Sequence, residues 1–138
     1  MTDFNEFNKA LIAEFRANGG KVGGQFANAN LLLLNTTGAK SGLARTNPLA
    51  YTTDGDHIIV IASKGGAPTH PDWYYNVKAN PDVTVELGNE QFQARAAVAE
   101  GPEHERLFTQ MAEVMPGFAE YQRNTERQIP VIVLERVE

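Results

Sequence analysis

The sequence predicts an α+β fold whose six strands close into a small, mostly antiparallel barrel with helices at its periphery. Three observations lead there. The strand-like segments are mostly joined by hairpin turns, which suits antiparallel pairing. Helical segments are inserted between strands rather than following each one, so a doubly wound parallel sheet is disfavoured. The chain has 138 residues, enough for one domain, and six strands laid flat in it would leave exposed edges that closure removes.

Periodicity and punctuation place the elements in order. Phe4, Phe7, Leu11, Ile12 and Phe15 form one helical stripe over residues 3–18, with Asp3 and Glu6 spaced as a capping box. Gly19-Gly20 stop that helix, and Gly23-Gly24 prolong the connection, so residues 1–24 read as an N-terminal helix plus a glycine-rich link. The stripe reads first as a face docked on its own domain, and second as a detachable helix that binds a partner or makes a weak membrane-surface contact. Its polar face, with Glu6, Lys9 and Arg16, is unlike the Lys/Arg-rich face that anionic lipid favours. An apolar run at 31–36 predicts the first strand. Residues 46–53 and 56–63 predict the next two, joined at Asp54-Gly55, a two-residue type I′ signal; Pro48 pushes part of the second to an edge or bulge.

Pro71 opens and Pro81 closes a helix over 71–79. Val83, Val85 and Leu87 alternate before Gly88-Asn89, and Phe92, Ala94, Ala96 and Val98 alternate after it, which predicts a second hairpin. Leu107, Met111, Val114 and Met115 predict an amphipathic helix over 102–115, a short helix follows at 117–125, and 130–134 is the closing strand.

Composition excludes several chemistries. Hydrophobic residues make up 42% and charged residues 21%, as in soluble globular domains. A net charge of -5 argues against a nucleic-acid binder held by phosphate contacts. Cysteine is absent, which removes disulfides, thiolate zinc sites, cysteine-ligated clusters and a cysteine nucleophile. The apolar runs 31–34 and 58–62 fall far short of the roughly 20 residues of a membrane span. No signal peptide is visible, so the expected address is the cytoplasm, peripheral to the membrane if the first helix touches lipid.

Three segments carry the candidate chemistry. The connection from Thr36 to Arg45 has no P-loop spacing, because Ala39 and Leu34 stand where that motif needs glycines. Its glycines, hydroxyls, Lys40 and Arg45 suit either a polar hairpin tip or an anion pocket. The stretch Ala62-Ser63-Lys64-Gly65-Gly66 leads through His70 to Trp73, the single tryptophan. It is either a loop with a core anchor or a second cationic, glycine-bearing wall suited to a planar phosphorylated ligand. Phe118, Tyr121 and Asn124 are spaced by three, as a packing face or as the wall of a pocket with a phenol that can donate a proton. His57, His70 and His104 lack metal-ligand spacing, and His57 and His104 read as solvated. Ser63, His70 and Asp72 form a triad only on paper, without a nucleophile elbow.

The ordered set Leu32-Leu33-Leu34-Asn35-Thr36-Thr37-Gly38-Ala39-Lys40-Ser41-Gly42, Arg45-Thr46-Asn47-Pro48-Leu49, Ala62 to Gly66, Trp73-Tyr74-Tyr75-Asn76, Ala79-Asn80-Pro81 and Tyr121-Gln122 with Thr125, Arg127 and Ile129-Pro130-Val131 resembles the deazaflavin-dependent nitroreductase family over about residues 30–134. The resemblance implies a split, FMN-binding-like β-barrel over 25–138 within a single domain. It also implies binding of the reduced 8-hydroxy-5-deazaflavin coenzyme F-420, and hydride transfer to a quinone, nitro or other conjugated electrophile. Carried over by motif, Lys40, Ser41 and Arg45 would grip the phosphate and acidic tail. Pro48, Ala62, Ser63, Lys64, Gly65, Gly66, Trp73 and Asn76 would complete the coenzyme site. Phe118, Tyr121 and Asn124 would line the acceptor pocket, with Tyr121 and Ser63 as the catalytic candidates. Family members often carry Arg where this chain has Ala39, which implies a looser grip on the tail. Those that reduce nitroimidazoles line the pocket with several tyrosines, so a quinone is the expected acceptor here. The alternatives are an FMN-dependent reductase or oxidase of the same fold and a non-catalytic deazaflavin or haem carrier. The protein would act as a monomer or homodimer.

Overall fold

The structure is a computed structural model that describes residues 4–20, 31–63 and 70–137. Asp3, the side chains of Phe4, Glu6 and Phe7, and Lys64-Gly65-Gly66 therefore lie outside the described residues. In chain order the elements are α1 (Phe4–Ala17), β1 (Leu31–Thr37), β2 (Ala44–Asp54), β3 (His57–Ile61), α2 (Asp72–Ala79), β4 (Asp82–Leu87), β5 (Glu90–Val98), α3 (Gly101–Val114), α4 (Gly117–Arg123) and β6 (Val131–Arg136). The strands close into a barrel in the order β1-β2-β3-β6-β5-β4. Every neighbouring pair is antiparallel.

Period-two alternation sorts the side chains into two cores. Leu32, Leu34, Val60, Val85, Ile132 and Leu134 point inward, and α2 adds Trp73 and Val77 to the same cluster. The outward residues Ile59, Ile61 and Val131 are covered by Leu107 and Met111 of α3 and Phe118 of α4. Truncating a fully buried residue such as Leu107 to alanine costs about 2–5 kcal/mol.

The third layer is α1. Phe15 is 2% exposed and Leu11 is buried, and Arg16 donates to both carboxylate oxygens of Glu86 on β4, at 2.9 and 2.7 Å. Glu86 faces Leu33 across the β1–β4 ladder, so the described half of the apolar stripe docks on the barrel. None of the helices among the described residues is long and apolar enough to cross a membrane.

Two sequence expectations shift. The turn between β2 and β3 is Gly55-Asp56 rather than Asp54-Gly55, because Asp54 stays in the ladder opposite His57. There it accepts two hydrogen bonds from Arg106 of α3, at 3.0 and 2.8 Å, while Gly55 takes the positive φ of +60° that the turn requires. Strand β3 stops at Ile61, short of residue 63, since the carbonyls of Ala62 and Ser63 are taken by the Arg127 side chain. Pro48 lies where β2 pairs with β1 only, its β3 partners being confined to Tyr51–Asp54. A residue without an N–H is least costly there.

Candidate functional site

A cleft of about 1120 Å³ opens between α1, the β1–β2 connection and the first turns of α2. The connection builds it. Gly38 N–H donates to the Leu43 carbonyl at 2.8 Å and Gly42 N–H to the Gly38 carbonyl at 3.0 Å, with Gly42 at a φ of +70°. The Ser41 hydroxyl accepts from Leu43 N–H at 3.2 Å. Asn76 of α2, 7% exposed, then fixes this closed loop to the barrel. Its Oδ1 accepts from Ala39 N–H at 2.9 Å and its Nδ2 donates to Thr36 Oγ1 at 3.1 Å.

The electrostatics follow from this scaffold. Lys9 of α1, Lys40 of the loop and Arg45 of β2 line the cleft and are exposed. None of them is in an ion pair with an acidic side chain among the described residues. Asp72 is the single carboxylate among the lining residues. Three cations lining one cleft, with no carboxylate ion pair among the described residues, favour an anion there on a protein whose net charge is -5. Tyr75, half exposed, adds an aromatic wall.

The end of β3 forms a second locus. Ala62 and Ser63 are buried, and their carbonyls accept from Arg127, Nη1 to Ala62 at 3.3 Å and Nη2 to Ser63 at 2.7 Å. Arg127 Nη1 also lies 3.0 Å from His70 Nδ1. The His70 ring packs 4.6 Å from Tyr74 and 5.8 Å, edge-on, from Tyr75. Burial, and then the charges of Arg127 and Lys78, hold the His70 pKa below its ordinary value.

The third locus is α4. Phe118 is buried in the outer core and meets Tyr121 edge-to-face at 5.7 Å. Tyr121 is half-buried, and Asn124 is the exposed C-cap. Neither these residues nor Trp73, 4% exposed inside the barrel, lines the cleft. Of the expected site residues the cleft gathers Lys40, Ser41, Arg45 and Asn76, whereas Pro48 on β2 and the buried Ala62 and Ser63 after β3 do not line it.

Sequence reasoning gave no site role to Lys9, Ile12, Tyr75 and Arg127, although Tyr75 and Arg127 stand in the segments that carry the resemblance. Lys9 and Ile12 belong to a helix whose docking face the sequence suggests but whose position beside the loop it does not, although their spacing of three puts them on one side of it. Arg127 had no local signal, since its partners lie 57–65 residues away. His104 corrects the expectation that it is solvated. It is 5% exposed, with Nε2 2.7 Å from the Ile129 carbonyl, because its position on α3 faces the outer core. His57 is half-buried.

Similarity to known proteins bears on this geometry. A family model described as F420H(2)-dependent quinone reductase matches residues 8–136. An F420H(2)-dependent quinone reductase of Mycobacterium tuberculosis is 41% identical over 128 residues, which is 90% of this chain and 86% of that protein. Among solved structures, an F420-H2 dependent reductase (FDR-A) superposes with a TM-score of 0.71 at 44% identity, over 77% of this chain and 94% of the other. A structure described as a domain-swapped dimer gives a TM-score of 0.73 at 39% identity, over 92% and 93%.

Proposed function

The chain belongs to the F420H(2)-dependent quinone reductase family, and from that premise we propose that it reduces a quinone, or a similarly conjugated nitro or carbonyl acceptor, with reduced coenzyme F-420. The observation that carries this reading is the cleft with Lys9, Lys40 and Arg45 exposed and not ion-paired to acidic side chains among the described residues.

The residues fit the coenzyme. A planar ring with a phosphate and an acidic tail needs length, cations and an aromatic surface. The cleft supplies about 1120 Å³, those three cations and Tyr75, against roughly 300–1,000 Å³ for ordinary small-molecule pockets. When bound, the coenzyme supplies a hydride donor, and this chain supplies binding, orientation, exclusion of water and a proton. Lys40, Ser41 and Arg45 hold the phosphate and tail, with Lys9 extending the same cationic wall. Asn76 keeps Lys40 and Ser41 in place by gripping the Ala39 N–H. Ala62 and Ser63, their backbone fixed by Arg127, stand on the ring side. On α4, Tyr121 and Asn124 serve the acceptor, with the Tyr121 hydroxyl as proton donor and the buried Phe118 ring supporting Tyr121 edge-to-face.

The test compares binding of coenzyme F-420 and of FMN by fluorescence quenching, followed by oxidation of the reduced coenzyme with menadione. Quenching of F-420 alone, with turnover, is expected. Tight FMN binding without a response to F-420 would assign the cleft to a flavin, and binding without turnover would make the protein a carrier. The protein acts as a monomer or a homodimer. The swapped dimer of a structural relative makes a homodimer the competing state, which sedimentation decides. The proposed address is the cytoplasm, checked by fractionation.

A further inference from the structure

Arg127 lies on the connection between α4 and β6 and, among the described residues, reaches three groups distant in sequence. It donates to the carbonyls of Ala62 and Ser63 and lies 3.0 Å from His70 Nδ1. A guanidinium has donors only, so His70 accepts at Nδ1 and keeps its proton on Nε2. Ala62-Ser63 precede residues 64–69 and His70 follows them, so a single side chain fixes both flanks of that stretch. His70 passes the constraint to the cleft, since its ring meets Tyr75 edge-on at 5.8 Å and Tyr75 is a cleft wall. On the opposite side Gln122 of α4 donates to the Arg127 carbonyl at 2.8 Å and accepts from Ile129 N–H at 2.9 Å. Gln122 is the neighbour of Tyr121.

We propose that Arg127 is a positioning residue that couples the acceptor side on α4 to the coenzyme cleft, holding the end of β3 and, through His70, the Tyr75 wall in register with Tyr121. The inference rests on the site reading above. The planar fork explains the residue type: it serves two carbonyls and an imidazole at once, whereas a lysine ammonium reaches the same set only loosely. The coupling has a built-in proton sensitivity, because only neutral His70 can accept from Arg127. Protonation sets a second cation against Arg127 and near Lys78, and among the described residues Tyr74 and Tyr75 also pack against the ring.

The experiment uses the full-length protein as wild type, Arg127→Lys, Arg127→Met and His70→Gln. Coenzyme F-420 binding is titrated, and kcat and KM for menadione are followed from about pH 5 to 8. Wild type must first bind and oxidise the reduced coenzyme; failure there overturns the site reading itself and is seen before any variant is compared. Arg127→Met is expected to lower kcat/KM by roughly ten-fold or more, with partial rescue in Arg127→Lys. Its acid limb is lost, because without the guanidinium the protonation of His70 breaks no hydrogen bond. His70→Gln, which leaves Arg127 in place, abolishes that limb and keeps the test open even if Arg127→Met does not fold. A purely structural brace lowers thermal stability but leaves the limb where it was. A limb that persists in folded Arg127→Met, or in His70→Gln, overturns the proposal.

Discussion

Asn76 spends both ends of its amide on the β1–β2 connection, accepting from Ala39 N–H and donating to Thr36 Oγ1. Replacement by leucine leaves those partners without a hydrogen bond and costs about 1–3 kcal/mol for each buried group. Asn76→Asp is more informative. The Thr36 hydroxyl can turn and donate to a carboxylate, so the loop survives, but the cleft gains a negative charge beside Lys40. We expect near-normal thermal stability and coenzyme affinity lowered roughly ten-fold, with the loss shrinking as salt is added. An affinity equal to wild type at low salt, measured by fluorescence, would remove Asn76 from the site. The cations themselves are exposed and solvent-screened, so Lys40→Ala and Arg45→Ala should each weaken binding by only about five- to ten-fold. Tyr121→Phe should lower menadione turnover while leaving coenzyme affinity intact. Equal turnover would assign the proton to solvent.

Helix α1 is the element whose attachment can be tuned by pH. The two bonds from Arg16, followed by one from Asn35 Nδ2 at 2.9 Å, hold the Glu86 carboxyl below the usual glutamate range, against the opposing effect of burial. A depressed carboxyl stabilises docking at pH values above the unfolded-state value of about 4.3. That contribution fades as pH falls through the lower folded-state value. Amide exchange in α1 should therefore accelerate selectively below about pH 4, and Glu86→Gln should produce the same acceleration at neutral pH. If α1 exchange in Glu86→Gln matched wild type, Phe15 and Leu11 alone would account for the docking. Since Lys9 and Ile12 line the cleft, loosened α1 should also weaken coenzyme binding. This element marks how far the sequence could be read. Alternation in β4 and β5 and the glycine stops exposed most boundaries, because those signals are local. The loop carrying Lys40 and Arg45 was legible for the same reason. The contribution of Lys9, the burial of His104 and the reach of Arg127 were not, because each depends on a neighbour brought in by barrel closure.

At the scale of the whole molecule, closure explains how an acidic chain can hold a polyanion. The net charge of -5 is a sum over the chain, whereas the ligand meets a cleft where α1, the β1–β2 loop and β2 each contribute one cation. These three elements come from separate parts of the sequence, and only the barrel and its docked helix bring them together. In the proposed binding mode the coenzyme bridges them, so binding and global stability are linked. A ligand present at 100 times its Kd adds about 2.7 kcal/mol to the folded state. For a domain of this size that raises Tm by roughly 8–12 °C. Reduced or oxidised F-420 should give this shift, most strongly at low ionic strength, and FMN at the same concentration should give none. With Lys9, Lys40 and Arg45 all replaced by alanine, the shift should nearly vanish while the Tm without ligand stays close to wild type, since these side chains are exposed and in no ion pair with an acidic group among the described residues. A full shift in the triple variant would place the anion contacts elsewhere on the barrel, and a fall in the ligand-free Tm would show that these cations hold the fold rather than the coenzyme.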